Sequence, residues 1–327
     1  MKNFVSIAKK LALYFIIAAL LASCSVSFAG TAEDGESPNA ADSARIEAVL
    51  EGYKGLNAVE ANQYFKETVI PLKINSAEEG SYERAFWEAA RSLKLKPRTK
   101  MPAEYKTTIL YIRRLTNISD QLKPYAVEKY LKAMANEPAI TRDVMDAALS
   151  ANSGLYGMSR RIKNAGEDEQ GTCRIADKIW LIIKNKKEHG EAISYEQAVD
   201  MLEDLLRYDV ACPPFGFLDT YKTVLTRLFE KGYELTEVEN TWESFTREKP
   251  YRGVNCTLKA PDGQLFEIQF HTPESYAVKR LNHAYYDELR KPEAEGTAMA
   301  DILANIEYLT YSQMMEPKDI GSIRNIR

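Results

Sequence analysis

Side chains that bind polar ligands or transfer protons recur at alternate positions between residues 251 and 272. Alternate residues of a β-strand point to the same face, so Glu267, Gln269 and His271 share one face and the apolar residues between them share the other. Tyr251 and Asn255 extend the polar surface onto the preceding strand of a predicted β-hairpin. A carboxylate, an imidazole, a phenol and two amides together predict a site, although a solvent-exposed face of an antiparallel sheet would show the same alternation.

The turn of this hairpin predicts how its strands pair. A two-residue loop at Asp262-Gly263 would place Leu258 opposite Glu267 and mix apolar with polar side chains on both faces. A three-residue loop that also includes Pro261 leaves each face uniform, because it places Thr257 opposite Glu267. Proline suits the first position of such a loop and glycine its left-handed position.

A second acidic strand is predicted at residues 205–211, where Arg207 and Asp209 alternate with apolar residues. Residues 233–242 read as a further strand. If the strand at 205–211 lies beside the hairpin in one sheet, the carboxylates of Asp209 and Glu267 converge.

Basic residues are concentrated between positions 159 and 187, where eight of them stand against four acids. On a helix, Arg174 and Lys178 lie one turn apart and form a cationic stripe. Such a stripe binds phosphates. It is also typical of a solvated basic helix face.

The chain divides into four parts by composition and periodicity. Residues 25–42 are polar and small, and we expect a flexible tether there. Residues 43–152 show helical periodicity and predict an α-helical domain for an unknown protein partner, with Pro71 and Pro138 among the prolines that bound its helices. Residues 153–327 predict an α+β domain in which helices flank a mixed sheet. Three sites in it predict the start of a helix: a capping box at Ser194, a cap at Asp219, and Thr272 before Pro273.

The first 24 residues resemble an export signal. Lysines precede an apolar run from residue 11 to 22 that is too short to span a bilayer, and Leu21-Ala22-Ser23-Cys24 resembles the lipoprotein box in which the cysteine is lipidated. We therefore expect a lipid anchor at Cys24 and a place in the cell envelope, facing the periplasm or on the outer membrane. Cleavage after Ala29 would instead give a soluble periplasmic or secreted protein.

Charge and cysteine content exclude two further classes. Residues 1–24 hold three lysines and no acid, so their removal changes the formal net charge from −4 to −7, and DNA binding is not expected. Cys173, Cys212 and Cys256 would remain, and an odd number is no disulfide framework. Cys256 falls on the apolar face of its strand and is expected to be a buried small hydrophobe.

Residues from about 155 to 291 resemble the synthetase domain of the RelA/SpoT family, which transfers pyrophosphate from ATP to the 3′-hydroxyl of a guanine nucleotide. The segment from Glu267 to Thr272 matches the family's Glu-x-Gln-x-Arg-Thr strand, with His271 where the family usually has arginine. The resemblance implies that Glu267 is the catalytic, metal-associated carboxylate. It also implies a nucleotidyltransferase-like fold for this part of the chain.

Other motifs of the family are matched more loosely. The segment around Tyr251 resembles the one whose tyrosine stacks on the acceptor base, and the segment from residue 282 to 286 resembles the family's Glu-His helix, with Asn282 in place of glutamate and His283 retained. Glu203 to Arg207 resembles the strand entry that carries a magnesium ligand, but its spacing is two residues shorter. Either Asp204 or Asp209 would therefore bind Mg²⁺.

The chemistry implied by the resemblance agrees with the residue types. Phosphoryl transfer needs cations for the triphosphate, carboxylates for Mg²⁺ and a base for the attacking hydroxyl. The residues expected to bind nucleotide substrates are Arg161, Lys163, Arg174, Lys178, Arg207, Tyr251, Asn255, Gln269, His271 and His283. The expected catalytic and metal-binding acids are Asp204, Asp209 and Glu267.

Two other functions are compatible with the sequence. An envelope-anchored binding protein could keep the fold and lack the chemistry, because the periplasm is expected to lack ATP. A secreted toxin of the same family would reconcile export with ATP-dependent transfer in another cell. No segment of the helical half resembles the family's hydrolase domain, so alarmone hydrolysis is not expected.

Overall fold

A mixed five-stranded sheet with helices around it carries the polar residues singled out above. The computed structural model describes residues 40–100, 123–160, 173–289 and 296–326. The predicted signal segment with Cys24, the tether up to residue 39, and both Arg161 and Lys163 lie outside these ranges.

The five strands are arranged in the spatial order β1-β2-β5-β4-β3. They are β1 (Leu155–Arg160), β2 (Leu206–Ala211), β3 (Glu234–Asn240), β4 (Val254–Lys259) and β5 (Leu265–His271). β2 and β5 are parallel, and the other neighbouring strands are antiparallel. The α+β class with a mixed sheet is therefore confirmed.

The hairpin of β4 and β5 has the predicted three-residue loop. Thr257 is paired with Glu267, and the backbone N–H of Ala260 donates to the carbonyl of Gln264 at 2.9 Å, which closes the loop. Gly263 has a φ of 85°, a left-handed conformation that glycine adopts without strain. The strands therefore pair in the predicted register, which keeps apolar side chains on one face of the hairpin and polar side chains on the other.

The amino-terminal part is helical, but two prolines do not bound its helices. The helices are α1 (Ala40–Glu51), α2 (Ala58–Tyr64), α3 (Ile70–Ser76), α4 (Tyr82–Ser92) and α5 (Lys123–Ser150). α2 and α3 are joined without a break by a π-helical turn, Phe65–Val69, so that Pro71 lies inside a helix. The wider turn lets the helix continue past a residue that lacks an N–H. Pro138 lies inside α5, which also corrects the prediction.

The helices of the sheet-bearing part begin largely where predicted. They are α6 (Cys173–Glu188), α7 (Tyr195–Asp200), α8 (Phe217–Phe229), α9 (Pro273–Leu289) and α10 (Ala298–Ser312). Ser194 forms its capping box, and Thr272 caps α9 by accepting from the N–H of Ser275. Asp219 lies in the first turn of α8, whose cap is Gly216. Among the described helices, none has the length and apolar character needed to cross a bilayer.

Strand β1 was not predicted, and its last two residues, Ser159 and Arg160, belong to the segment in which basic residues are concentrated. It pairs with β2 through a register shift near Gly157, where an added Cβ would lie 2.8 Å from Asp209. Because glycine leaves room for that carboxylate, β1 can cover the edge of β2 next to the polar residues.

A continuous apolar core joins the helical part to the underside of the sheet, and runs from Tyr53 to Ile323. Cys256, as expected, is buried there. α5 packs on α8 and β2, where Thr141 and Tyr208 share a buried hydrogen bond of 2.9 Å. The proposed boundary at residue 152 stays a prediction, but the apolar face of β2 depends on α5 for its cover.

Glu307 on α10 makes the stability of the fold depend on pH. The residue is only 9% exposed, and burial raises the pKa of its carboxyl to about 7 from an ordinary value of 4.5. The folded chain therefore holds a proton that the unfolded chain releases, and stability falls as the pH rises from about 4.5 to 7. We expect Glu307→Gln to stabilise the protein at pH 8 by on the order of 1 kcal/mol and to have little effect at pH 4.

Urea unfolding of both proteins at the two pH values measures this difference. Glu79→Gln, at an exposed position, is the matched control and should unfold like the wild type at both values. An equal effect of Glu307→Gln at pH 4 and pH 8 would contradict the role of ionisation.

Candidate functional site

The parallel pairing of β2 with β5 brings together the residues that the sequence placed on separate strands. Arg207 lies opposite Glu267, and Asp209 lies opposite Gln269. The guanidinium of Arg207 donates through Nε to Glu267 Oε2 at 2.5 Å and through Nη2 to Asp204 Oδ2 at 3.1 Å. Arg207 thus links Asp204, which lies just before β2, to Glu267 on the hairpin of β4 and β5.

A small cleft opens around this arginine, and we call it the acidic pocket. Its volume is about 170 Å³, and it is lined by five carboxylates, two cations and two other polar residues. They are Glu203, Asp204, Glu237, Glu239, Glu267, Lys178, Arg207, Asn255 and Thr257. Lys178 enters from α6 and donates to Asp204 Oδ1 at 2.6 Å. The excess of carboxylates makes this pocket a place where further positive charge is favoured.

Electrostatics in the acidic pocket follow from burial and from the close carboxylates. Burial disfavours the charged form of Arg207, but the carboxylates of Glu267 and Asp204 outweigh it and raise the pKa of the guanidinium. Burial raises the pKa of Glu203, and the carboxylate of Glu237 adds to the effect. The pocket therefore holds a permanent cation, and its Glu203 carboxyl ionises less readily than an ordinary glutamate.

Lys279 forms a second cluster next to the acidic pocket. Its ammonium donates to Asp209 Oδ1 and Gln269 Oε1, both at 2.5 Å, and contacts His271 Nε2 at 3.2 Å. We call these four residues the Lys279 cluster. The chain brings Lys279 to this place because α9 starts directly after β5 and turns back over the end of the strand.

His271 is neutral in the Lys279 cluster. Burial lowers the pKa of its imidazole well below the ordinary value, and the charges of Lys279 and Arg207 lower it further. The Lys279 contact requires Nε2 to accept, so we assign the proton to Nδ1, which lies 3.1 Å from the Ser275 hydroxyl. The positive charge at this end of the site therefore belongs to Lys279.

Amide side chains join the acidic pocket to the Lys279 cluster. Gln269 Nε2 donates to Glu267 Oε1 at 2.9 Å and to Asn255 Oδ1 at 3.0 Å. The hydroxyl of Tyr251 donates to the same Asn255 oxygen at 3.0 Å, and burial raises the pKa of this phenol well above its ordinary value. Gln269 and His271 are 5% and 0% exposed, so this part of the polar face is buried and does not form a solvated sheet surface.

Some predicted site residues are not brought into contact with this network. Arg161 and Lys163 lie outside the described residues, and for Arg174 only its place in the first turn of α6 is described. His283 is exposed on α9, one turn beyond Lys279, and does not line the acidic pocket. Asn282 is buried away from it and donates to Thr310 on α10 at 2.7 Å.

Lys279 is the functional residue that sequence reasoning missed. A signal was present, because Ser275 and Lys279 are four residues apart at the start of a helix that follows β5 directly. Such residues lie on one helix face. Since Ser275 reaches His271, the next residue on that face also returns to the strand end.

The described residues contain no group of three or more histidine, cysteine, aspartate or glutamate side chains arranged to hold a metal ion. Asp204 and Glu267 are bridged by Arg207 and do not converge directly. Their oxygen atoms are the donor type that Mg²⁺ prefers, and Mg²⁺ normally takes only one or two protein carboxylates together with phosphate oxygens and water. The donor set therefore fits an ion that arrives with a phosphate ligand.

Among known proteins, this chain is similar only to solved structures. No protein-family model matches the chain, and no curated protein is similar to it in sequence. The small alarmone synthetase 1 from Bacillus subtilis bound to its product pppGpp is 15% identical, with 41% of this chain and 68% of that chain covered and a TM-score of 0.29.

Two further solved structures match a larger share of their own chains. The complex of the type VI effector Tas1 with its immunity protein is 19% identical over 57% of this chain and 93% of the other, with a TM-score of 0.33. A GTP pyrophosphokinase family protein from Streptococcus pneumoniae is 18% identical over 48% and 88%, with a TM-score of 0.25. Identities and TM-scores at this level do not determine a function.

Replacing Lys279 tests its control of the neighbouring imidazole. Lys279→Met keeps the length of the side chain and removes its charge, so we expect the pKa of His271 to rise towards the ordinary value of a histidine. An NMR pH titration measures this, and the chain has only three histidines. His189 is exposed and lies outside α9, so it serves as the internal reference.

Lys222→Met, at an exposed position on α8, removes the same charge elsewhere and should leave all three titrations unchanged. A His271 titration that is the same in Lys279→Met and in the wild type would show that the ammonium does not hold the imidazole neutral.

Proposed function

We propose that the acidic pocket and the Lys279 cluster together form the active site of an ATP-dependent pyrophosphotransferase. The acceptor would be the 3′-hydroxyl of a purine nucleotide or a related ribose hydroxyl, as the resemblance to RelA/SpoT synthetases implies. The observation that carries the proposal is the link from Asp204 through Arg207 to Glu267. Asp204 and Arg207 belong to one motif and Glu267 to another, and the fold joins them at one point.

The cations of the site suit a triphosphate. Lys178 and Arg207 line the acidic pocket, and Lys279 lies at its far side beyond the Gln269 amide. Each is at present paired with a carboxylate, so a phosphate ligand would exchange one anionic partner for another. Arginine is suited to this exchange because its planar fork binds phosphate oxygens in pairs.

Asp204 is favoured over Asp209 as the metal-binding aspartate. Asp204 lines the acidic pocket together with Glu267, whereas Asp209 is held by Lys279 and is not among the lining residues. Bound with substrate, Mg²⁺ would supply charge neutralisation of the phosphate oxygens. Asp204 and Glu267 would hold it.

Glu267 is the residue proposed to take the proton of the attacking hydroxyl. Its two oxygens accept from Arg207 and Gln269, and each retains lone pairs for one more donor. The O3′–Pβ bond forms while the bond from Pβ to the oxygen of the α-phosphate breaks, and AMP leaves. The hydroxyl proton passes to the Glu267 carboxylate.

A binding function without catalysis is the second candidate, and one observation favours it. Lys178, Arg207 and Lys279 are all paired with carboxylates of the site, so the charges compensate each other without a ligand. An exported lipoprotein anchored at Cys24 would also meet little ATP. The lipid anchor and the periplasmic location remain proposals from the sequence.

Replacing the proposed base separates the two candidates. We expect Glu267→Gln to lower the transfer rate by about 10²–10⁴-fold, the usual contribution of a general base, while ATP still binds. The assay follows labelled phosphate from ATP to GDP, GTP, ADP or tRNA in the presence of Mg²⁺, and calorimetry measures ATP binding.

Glu234→Gln, at an exposed position on β3 outside the acidic pocket, should transfer at the wild-type rate. Equal rates for Glu267→Gln and the wild type would exclude Glu267 as the base. Absence of both transfer and ATP binding in the wild type would leave the binding protein as the better candidate.

A magnesium titration distinguishes the two aspartates. Since Asp204 is proposed as a ligand, Asp204→Asn should raise the Mg²⁺ concentration for half-maximal transfer by roughly tenfold or more. Asp209→Asn should change this concentration much less, because Asp209 does not line the acidic pocket. The reverse order would assign the ligand role to Asp209.

A further inference from the structure

The helical part of the chain contains a groove that shares no residue with the acidic pocket. It has a volume of about 800 Å³ and lies between the helix that runs from residue 58 to 76 and the end of α4. Ligand sites for molecules of nucleotide size have volumes of this order. The groove is therefore large enough for a ligand of its own.

Positive charge dominates this groove. Among the described residues, Lys66, Arg91, Lys94 and Lys96 line it, and Glu67 is the one acidic lining residue. Within the described parts of the chain, none of the four cations forms an ion pair, and Glu67 accepts from Gln63 Nε2 at 3.2 Å. The whole chain has a formal charge of −4, so the local excess of cations runs against its overall balance. Such a concentration attracts anions.

Asn62 adds an acceptor that lacks a donor. The residue lines the groove and is only 5% exposed. Its Nδ2 donates to the carbonyl of Leu95 at 2.8 Å, which fixes the orientation of the amide. Its Oδ1 is buried, and no described residue donates to it. A buried acceptor of this kind is destabilising unless a ligand or water supplies an N–H or O–H.

The wall of the groove also includes the π-helical turn Phe65–Val69, which carries Lys66 and Glu67. A π turn is less stable than a regular α-helical turn and is often retained at functional sites. Lys66 in this turn and Asn62 in the turn before it line the same groove.

We propose that this groove binds a phosphorylated small molecule of nucleotide size that also carries an N–H or O–H donor. The phosphate would contact Arg91 and the three lysines, and the donor would reach Asn62 Oδ1. This site does not depend on transfer at the acidic pocket and would exist in a catalytically silent protein as well.

Calorimetry on the full chain tests the proposal with UMP and ribose 5-phosphate as probes, because AMP is a product of the proposed transfer and would also bind the acidic pocket. Uridine and ribose, which lack the phosphate, should not bind measurably. Inorganic phosphate should bind more weakly than ribose 5-phosphate, because it lacks the sugar hydroxyls. The double variant Arg91→Gln/Lys94→Gln should weaken UMP binding by roughly tenfold or more, since hydrogen bonds to charged groups are strong.

Two further variants identify the groove as the place of binding. Lys132→Gln/Lys222→Gln removes the same charge at exposed positions outside the groove and should leave the affinity for UMP unchanged. Lys178→Gln alters the acidic pocket, so weaker UMP binding in this variant would place the ligand in that pocket. The proposal is overturned if the groove double variant binds UMP like the wild type, if Lys178→Gln weakens binding instead, or if uridine binds as tightly as UMP.

Discussion

The parallel register between β2 and β5 is the constraint on which the site depends. Pairing Arg207 with Glu267 puts a guanidinium within reach of two carboxylates, Glu267 on the next strand and Asp204 just before its own strand. Parallel strands cannot be joined by a tight turn, so α8, β3 and β4 all intervene between β2 and β5. The chain therefore has to complete most of its sheet before the site exists, and a shift by one residue would turn Arg207 to the apolar face.

Burying this many charges costs free energy, and the structure offsets it by joining them in one network. Lys178, Asp204, Arg207 and Glu267 form a continuous chain of ion pairs, and Gln269 connects it to the pair of Lys279 with Asp209. Ion pairs of this kind add little to stability compared with apolar residues of similar volume. Their retention in the sheet is better explained by the positioning of charged groups for a polar ligand than by folding.

The sequence predicted the features of the fold that depend on neighbouring residues, but not those that depend on contacts between distant segments. The register of β4 and β5 followed from the Pro261-Asp262-Gly263 turn and the alternation beside it, because both are local. β1 was missed since its short sequence with Gly157 lacks alternation and becomes a strand only by pairing with β2. Pro71 gave the wrong helix boundary because a π turn lets the helix continue past the proline. No simple residue pattern predicts such a turn.

The site, like the fold, could be predicted only in its local features. Alternation alone assigned Glu267, Gln269 and His271 to one surface, but it could not show which residue each of them contacts. His271 was expected to bind a nucleotide substrate, and burial with Lys279 beside it makes its imidazole neutral. Lys279 lies eight residues further along and supplies the charge from a different element.

The helical part bears on the site through the core that it shares with the sheet. α5 covers the apolar face of β2 through contacts such as Thr141 with Tyr208, and Asp143 on the same helix binds both Lys231 and Tyr233. On the other side, Lys73 of α3 forms an ion pair of 2.8 Å with Glu274, in the first turn of the helix that carries Lys279. Because Glu274 is almost fully buried, this pair fixes where α9 starts. The helices that wall the groove are therefore part of the same packed structure that holds Lys279 over the end of β5.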